Sequence, residues 1–187
     1  MILGLDVSTS CTGWCIIDRD AKLVRMGYIK LSKISSVFEK AKVTQAELGK
    51  LCEEFSIDDV FIEENLQAFR PGFSSAKTLI SLSRFNGIVS YLCEQIFETE
   101  PRFINVNAAR KIVGLKIVRK SKGGMPTKHQ VLDWVSNQLE GFKHQWPIRV
   151  LKSGPRKGIS TLEDGCYDMA DAFVIAQAGL GSSEQLC

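Results

Sequence analysis

The chain has 187 residues, 44% of them hydrophobic, and its 24 Lys and Arg against 21 Asp and Glu give a net charge of only +3. This length and apolar content are enough for one buried core, so we expect a single domain over residues 1–187. No run of about 18 apolar residues is present, which excludes a membrane-spanning helix. The apolar residues of a first core strand begin at residue 2, and we therefore expect no signal peptide.

The cysteines and histidines argue against a structural zinc site. Six cysteines are scattered without a Cys-x-x-Cys pair, and His129 and His144 are the only histidines. A zinc site of this class needs closely spaced pairs of such ligands. Because unpaired cysteines are typical of reducing compartments, we expect a soluble intracellular protein.

The positive charge is concentrated in one part of the chain. Residues 110–158 contain twelve Lys and Arg and two acids, a net +10, which leaves −7 for the rest of a chain whose total is +3. Such a segment is either a solvated surface or a phosphate-binding face of the kind found in nucleic-acid-binding proteins. Glycines are mixed with the charges at 118–124 and 152–158, which favours flexible loops. We interpret about 114–126 and 142–164 as basic insertions.

The first half of the chain predicts three strands, a helix and a fourth strand. Apolar residues over 2–6, 13–18 and 22–31, joined by short turns, predict an antiparallel meander. A helix is expected from about Ser36 to Phe55. The short apolar run Asp59–Glu63 then predicts a buried strand, which after a helical crossover should run parallel to the first strand.

The second half predicts one more strand and four helices. Apolar residues keep a spacing of three to four over residues 74–98, which predicts a long helix with a face broad enough for a core and a partner. Asn107 is expected to cap the next helix, and Gly179 to end the last one. The remaining predicted elements are Arg102–Val106, Ala108–Val113, Thr127–Leu139 and Gly165–Ala178. The pattern indicates an α/β protein with five strands in a mixed sheet flanked by helices.

Acidic residues end two of the predicted strands and recur in the last helix. Asp6 follows an apolar run in which an ionised carboxylate loses hydration, so it needs a hydrogen-bond network, a basic partner or a bound cation. Glu63 ends the fourth strand. Glu64 is the alternative candidate, because only one of two successive strand residues can point to a given face of the sheet. Asp168 and Asp171 are three residues apart and share a helix face. If strands one and four are adjacent, these carboxylates converge.

Converging carboxylates raise one another's pKa and need added positive charge, which hard divalent cations supply. We therefore expect Mg²⁺, with Mn²⁺ able to substitute. Two such ions about 3.5–4 Å apart can stabilise the attacking and leaving oxygens when water cleaves a phosphodiester. Each acid also has a structural interpretation, through the helix dipole for Asp168 and Asp171 and through turn hydrogen bonds for Asp6. Their conjunction favours a two-metal centre.

The ordered motifs Gly4-Leu5-Asp6, Phe61-Ile62-Glu63 and Asp168-Met-Ala-Asp171-Ala resemble those of RuvC-type Holliday junction resolvases, in the RNase H-like (retroviral integrase-like) superfamily. The resemblance covers residues 2 to about 178 and implies an RNase H-like fold. It implies a homodimer, formed through helix 74–98, that binds a four-way DNA junction and makes paired, magnesium-dependent nicks. Such an endodeoxyribonuclease acts in DNA recombination, repair or the processing of replication intermediates. The implied catalytic residues and metal ligands are Asp6, Glu63, Asp168 and Asp171.

The same resemblance implies positions that contact DNA. Arg110 and Lys111 lie in a segment similar to the one that follows the fifth strand in the family. Lys128 matches a basic residue that approaches the scissile phosphate. Together with the glycine-rich basic loop, the predicted DNA-binding cations are Arg110, Lys111, Arg119, Lys120, Lys122 and Lys128.

Two features differ from the bacterial members of that family. Leu66 stands where they carry an aromatic residue that wedges the junction, so we expect Phe69 or Phe73 to substitute. The segment from Phe142 to Asp164 is longer than in the compact bacterial form, which indicates a viral or organellar relative. The expected location is the cytoplasm of a bacterium or of a virus-infected host cell.

Three other functions are compatible with parts of the sequence. An RNase H-like nuclease that acts on RNA or on other branched DNA could carry the same four acids. A non-catalytic junction-binding module would not need the complete set. The turn after Asp6 also resembles the phosphate loop of actin-like nucleotide-binding proteins, but that fold needs two lobes and 187 residues supply one.

Overall fold

A five-stranded mixed sheet forms the centre of the fold in the computed structural model, which describes residues 1–64, 76–139 and 146–184. The strands are β1 (Ile2–Val7), β2 (Cys11–Ile17), β3 (Leu23–Lys30), β4 (Asp59–Glu63) and β5 (Arg102–Ile104). They are arranged in the order β3-β2-β1-β4-β5. β1 to β3 form an antiparallel meander, and β4 and β5 run parallel to β1. The predicted fold class is confirmed.

Helices cover both faces of this sheet. They are α1 (Val37–Glu54), α2 (Ala76–Phe97), α3 (Val106–Ile112), α4 (Thr127–Gln138) and α5 (Gly165–Glu184). A single 3₁₀ turn spans Lys120–Lys122, and a separate hairpin pairs β6 (Ile148–Val150) with β7 (Ser160–Leu162). None of the described helices is both long and apolar enough to cross a membrane.

Alternation along β1 divides the core into two layers. Leu3, Leu5 and Val7 pack with residues of α1 and α2 on one face of the sheet. Ile2 packs with α5 and α4 on the other face, where Phe61 of β4 joins it. Because side chains alternate along a strand, Asp6 points to the same side as Ile2, toward α5.

α5 lies unusually close to the sheet because two glycines leave room for it. A Cβ on Gly4 would overlap the α5 backbone and lie 2.5 Å from the nitrogen of Ala176. A Cβ on Gly13 of β2 would overlap the carbonyl of Asp168 and lie 2.8 Å from the nitrogen of Met169. The two glycines therefore fix how close α5 can lie to β1 and β2.

Two predicted helix boundaries are wrong. Asn105, not Asn107, caps α3, since its side-chain oxygen accepts hydrogen bonds from the backbone nitrogens of Asn107 and Ala108 at 3.0 and 3.4 Å. α5 continues past Gly179 to residue 184. Gly179 serves packing rather than termination, because a Cβ there would overlap the ring of Phe61.

The described parts of the two basic insertions are more ordered than the sequence predicts. Lys120–Lys122 form a 3₁₀ turn that ends at Gly123 in the left-handed region. In the second insertion the chain forms the β6–β7 hairpin instead of a flexible loop. The strands have three residues each, too few for alternation to be recognised in the sequence.

Candidate active site

Asp6 and Glu63 lie side by side at one edge of the sheet. β1 and β4 are parallel, and their last paired residues are Leu5 and Ile62, directly before the two acids. Alternation along β4 places Glu63 on the same face as Phe61, which packs with α5. Both carboxylates therefore face α5.

α5 brings the other two acids to the same place. Gly13 is the partner of Asp6 in the β1–β2 ladder, and the Asp168 carbonyl lies against Gly13. This contact puts the first turn of α5 over the end of β1. Asp171 follows one turn later on the same helix face, so the structure brings together all four acids that the sequence predicts for the site.

The electrostatics of Asp6 reflect this convergence. Loss of hydration raises the pKa of Asp6 well above its ordinary value, and the carboxylates of Glu63, Asp171 and Asp168 raise it further. The guanidinium of Arg110 acts in the opposite direction. The site therefore carries more negative charge than its surroundings compensate.

The pKa values of the other three acids are also raised. Burial, followed by the charge of Asp171, raises the pKa of Glu63 to about 7. Burial also raises the pKa of Asp171, against a lowering effect of Arg110. Burial likewise raises the pKa of Asp168, although a hydrogen bond from the Cys11 thiol lowers it.

Arg110 is a basic partner inside the site, although the sequence predicts only a contact with DNA for it. Its Nη2 lies 3.4 Å from Oδ1 of Asp171, and the two side chains are only 18% and 20% exposed. The Nε atom of Arg110 is buried without a hydrogen-bond partner among the described residues. The topology could have indicated this position, because β5 is parallel to β4 and α3 begins where β5 ends.

Cys11 is a second residue beside the acids that is not among the predicted site residues. Its thiol is partly buried and hydrogen-bonds to Asp168, and burial together with the charge of Asp168 raises its pKa. A cavity of about 250 Å³ opens beside them, lined also by Tyr28 and Lys30. Alternation from Gly13 along β2 would have placed Cys11 on the α5 side.

Two of the predicted DNA-binding cations, Arg110 and Lys128, lie next to the acids. Lys128, in the first turn of α4, has its Nζ 4.3 Å from the centre of the Tyr167 ring and lowers the pKa of Asp168. Four further predicted DNA-binding cations are exposed: Lys111, Arg119, Lys120 and Lys122. Leu66, Phe69 and Phe73 lie outside the described residues.

Comparison with known proteins identifies the fold. No protein-family model matches the sequence, and no curated protein matches it. Among solved structures, RuvC of Thermus thermophilus in complex with a Holliday junction substrate is 14% identical, with 98% of this chain and 94% of that chain covered and a TM-score of 0.62. The protein has the RNase H-like fold of RuvC.

Two other structures support this assignment. A second Thermus thermophilus RuvC structure is 16% identical over 98% of this chain and 95% of that one, with a TM-score of 0.63. The yeast mitochondrial Holliday junction resolvase is 15% identical over 99% of this chain and 79% of that one, with a TM-score of 0.57. The predicted resemblance to RuvC is confirmed at the level of the fold.

The donor chemistry of the four acids fits a hard divalent cation. Their carboxylates supply oxygen ligands, the type that Mg²⁺ and Mn²⁺ prefer. Within the described ranges, however, no three Asp, Glu, His or Cys side chains are arranged to hold a metal ion. In the described conformation Arg110 pairs with Asp171 of this set.

The raised pKa values predict a pH-dependent stability in the absence of metal. Glu63 has an ordinary value of 4.5 in the unfolded chain and about 7 in the fold, so the folded protein binds more protons between these values. The free energy of unfolding should therefore fall as pH rises from about 4.5 to about 7. Thermal unfolding at several pH values, in the presence of a chelator, measures how the free energy of unfolding changes with pH. Magnesium should reduce this slope, and Glu63→Gln should flatten it. An unchanged slope in Glu63→Gln would contradict the assigned pKa.

Proposed function

We propose that the protein is a structure-selective endodeoxyribonuclease that resolves four-way DNA junctions by paired, divalent-metal-dependent hydrolysis of phosphodiester bonds. Its role would lie in DNA recombination, in repair or in the processing of replication intermediates. The main support is the convergence of Asp6, Glu63, Asp168 and Asp171 at one sheet edge of a RuvC fold. One neighbour with this fold is described as a RuvC in complex with a Holliday junction substrate.

The four carboxylates would hold the metal, because they are the hard oxygen donors gathered at this edge. Magnesium, when bound, supplies positive charge that stabilises the attacking and leaving oxygens of the phosphate. The strands and α5 hold the carboxylates in place, since Asp6 and Glu63 lie on neighbouring strands and Gly13 fixes the approach of Asp168. Backbone rigidity here favours a constant spacing between the acids.

Two basic residues complete this site. Arg110 restrains Asp171 and offsets part of the negative charge of Asp6 and Glu63. Lys128 lies close enough to Asp168 to lower its pKa, and its exposed position allows it to meet a DNA phosphate. We propose that Arg110 orients a carboxylate and that Lys128 contacts the cleaved strand.

A basic concavity next to the acids would receive the DNA backbone. A cavity of about 320 Å³ is lined by Arg110, Lys111 and Lys116 of α3 and the loop that follows it. Phosphate contacts by such residues provide most of the affinity of DNA-binding proteins and make it salt-dependent. The exposed 3₁₀ turn Lys120–Lys122 extends the same basic segment.

We propose Glu63 rather than Glu64 as the metal ligand from β4, because strand alternation places Glu63 on the side of α5. Substitution distinguishes the two residues. Glu63→Gln should lower the single-turnover rate of junction cleavage on the order of a hundredfold or more, because a charged ligand is lost. Glu64→Gln should stay within about threefold of wild type. Quenched-flow or manual time courses on a labelled junction measure both rates, and a larger loss in Glu64→Gln would reverse the assignment.

We propose that α2 forms a homodimer interface. Its first nine residues, 76–84, include no buried side chain, and Ile80 and Tyr91 are 52% and 62% exposed. Tyr91→Asp should shift the mass in light scattering from about twice 20.8 kDa to 20.8 kDa. Val24→Asp, on the β3 edge of the sheet, is the matched control. A monomeric wild type would contradict the interface.

A substrate panel tests the proposed activity. Purified protein is incubated with a labelled four-way junction, a linear duplex of the same sequence and an RNA–DNA hybrid, each with magnesium or with chelator. We expect cleavage of the junction alone and only with magnesium. Equal cleavage of the linear duplex would contradict junction selectivity, and preferential cleavage of the hybrid would indicate an RNase H-type nuclease.

A further inference from the structure

The β6–β7 hairpin has a defined, hydrogen-bonded structure. Beyond the paired strands, the backbone nitrogen of Leu151 donates to the carbonyl of Ile159 at 3.0 Å, and that of Gly158 donates to Leu151 at 2.8 Å. Gly154 and Gly158 have φ values of +79° and +86°, which other residues adopt with strain. These bonds and glycines hold the tip, residues 152–158, in one turn conformation.

The base of the hairpin is attached to the residues directly before α5, the helix that carries Asp168. The backbone nitrogen of Glu163 donates to the carbonyl of Pro147 at 2.9 Å, and the Glu163 carboxylate accepts from the Tyr28 hydroxyl at 2.5 Å. Arg149 of β6 makes two bonds to the Asp164 carboxylate, at 3.0 and 3.2 Å. The hairpin is therefore positioned relative to the candidate active site, and its tip lies roughly 13 Å beyond Leu162 at about 3.3 Å per strand residue.

The tip carries uncompensated positive charge. Lys152, Arg156 and Lys157 are all exposed, and none forms an ion pair with another residue in the described part of the chain. No acid occurs between residues 148 and 162, and the nearest, Glu163 and Asp164, already bond to Tyr28 and Arg149. Three cations on one ordered turn suit a ligand with several negative groups better than a single anion.

Apolar side chains accompany these charges. Ile148, Val150 and Ile159 are 66%, 55% and 53% exposed. Exposed β-branched side chains on a two-stranded ribbon are unfavourable in water and suit contact with another surface. In a nucleic-acid groove such side chains pack against sugars and base edges, while neighbouring cations contact phosphates.

We propose that this hairpin, residues 148–162, binds the phosphate backbone of a DNA duplex arm outside the cleavage site. The inference rests on the proposed junction-cleaving function and adds a second contact to it. DNA is favoured over an acidic protein partner because the charge is wholly positive and the hairpin is continuous with the helix of the candidate active site. The hairpin supplies affinity and arm orientation, and it does not touch the reacting phosphate.

The test compares the triple variant Lys152→Gln/Arg156→Gln/Lys157→Gln with the charge-matched control Lys22→Gln/Lys42→Gln/Lys50→Gln. The control residues are also exposed but lie before β3 and on α1. Binding of the full chain to a labelled four-way junction is measured by fluorescence anisotropy in chelator at several salt concentrations. We expect the hairpin variant to bind at least about tenfold more weakly, and its plot of log affinity against log salt to be shallower by about 2 to 3.

The control should lose less than about threefold in affinity and keep the wild-type salt slope, and both variants should unfold at the wild-type temperature. A hairpin variant with wild-type affinity and slope would overturn the proposal and leave the hairpin as a surface for another macromolecule. If the triple variant does not fold, each single variant should lower the slope by about 1. Wild-type protein without preference for the junction over a linear duplex would instead contradict the proposed function.

Discussion

Asp6→Asn should lower the rate of junction cleavage by at least about a thousandfold while junction binding stays equal or becomes tighter. The carboxylate is at the centre of the acid cluster, where Glu63, Asp171 and Asp168 all raise its pKa. Loss of a charged metal ligand costs several kcal/mol in the transition state. Removing a negative charge that opposes DNA phosphates should not weaken binding. Single-turnover cleavage and anisotropy on the same junction measure the two effects.

The fold should tolerate this substitution. Asn has nearly the same shape as Asp, and the change relieves repulsion among partly buried carboxylates, so the melting temperature in chelator should be equal or higher. Asp20→Asn is the matched control, because Asp20 is 77% exposed and lies in the turn between β2 and β3. It should keep wild-type activity. If Asp6→Asn loses both its fold and its DNA binding, Asp6 has a structural role instead.

Gly13→Ala is expected to destabilise the protein by about 3 kcal/mol and to reduce cleavage on the order of a hundredfold at a temperature where it is folded. The added Cβ would overlap the Asp168 carbonyl, a backbone atom that cannot move without shifting α5. Such a shift moves Asp168 away from Asp6. Urea unfolding gives the change in stability, and single-turnover kinetics give the change in rate.

Gly49→Ala provides the matched control for this substitution. Gly49 lies inside α1, and a Cβ there would meet nothing within 4 Å. Replacing a helix-interior glycine by alanine stabilises by about 0.5–1 kcal/mol. The two glycine substitutions should therefore change the free energy of unfolding in opposite directions. Equal destabilisation by both would contradict the close approach of α5 at Gly13.

The four acids could be predicted because their signals are local. Apolar runs before Asp6 and Glu63 indicate buried strands, and a helical crossover between them indicates parallel neighbours. The three-residue spacing of Asp168 and Asp171 indicates one helix face. Each inference needs only a short window of sequence and one topological rule. The structure brings these residues together at the edge that the topology predicts.

The residues that escaped prediction depend on tertiary contacts. Arg110 belongs to a basic segment whose composition indicates DNA contact, and only the parallel placement of β5 brings its side chain to Asp171. A glycine such as Gly179 often ends a helix, but here it lies inside α5, where the ring of Phe61 packs against it. Asn105 and Asn107 are both good caps, and the start of α3 decides between them.

The sequence leaves three ways to compensate the charge of Asp6: a hydrogen-bond network, a basic partner or a bound cation. The occurrence of four acids that can converge favours the cation. The structure places Arg110 beside the acids, yet their pKa values remain raised. One guanidinium is therefore insufficient for four carboxylates, which is consistent with our proposal that the same site also takes divalent cations.

Cleavage of a supercoiled plasmid that extrudes a cruciform tests the central claim most directly. Paired incision across the junction yields linear plasmid, whereas a single nick relaxes the cruciform and yields nicked circles. We predict linear, religatable product with magnesium, none with chelator, and none from a plasmid that lacks the inverted repeat. Equal nicking of both plasmids, or linear product formed in chelator, would contradict a metal-dependent junction resolvase.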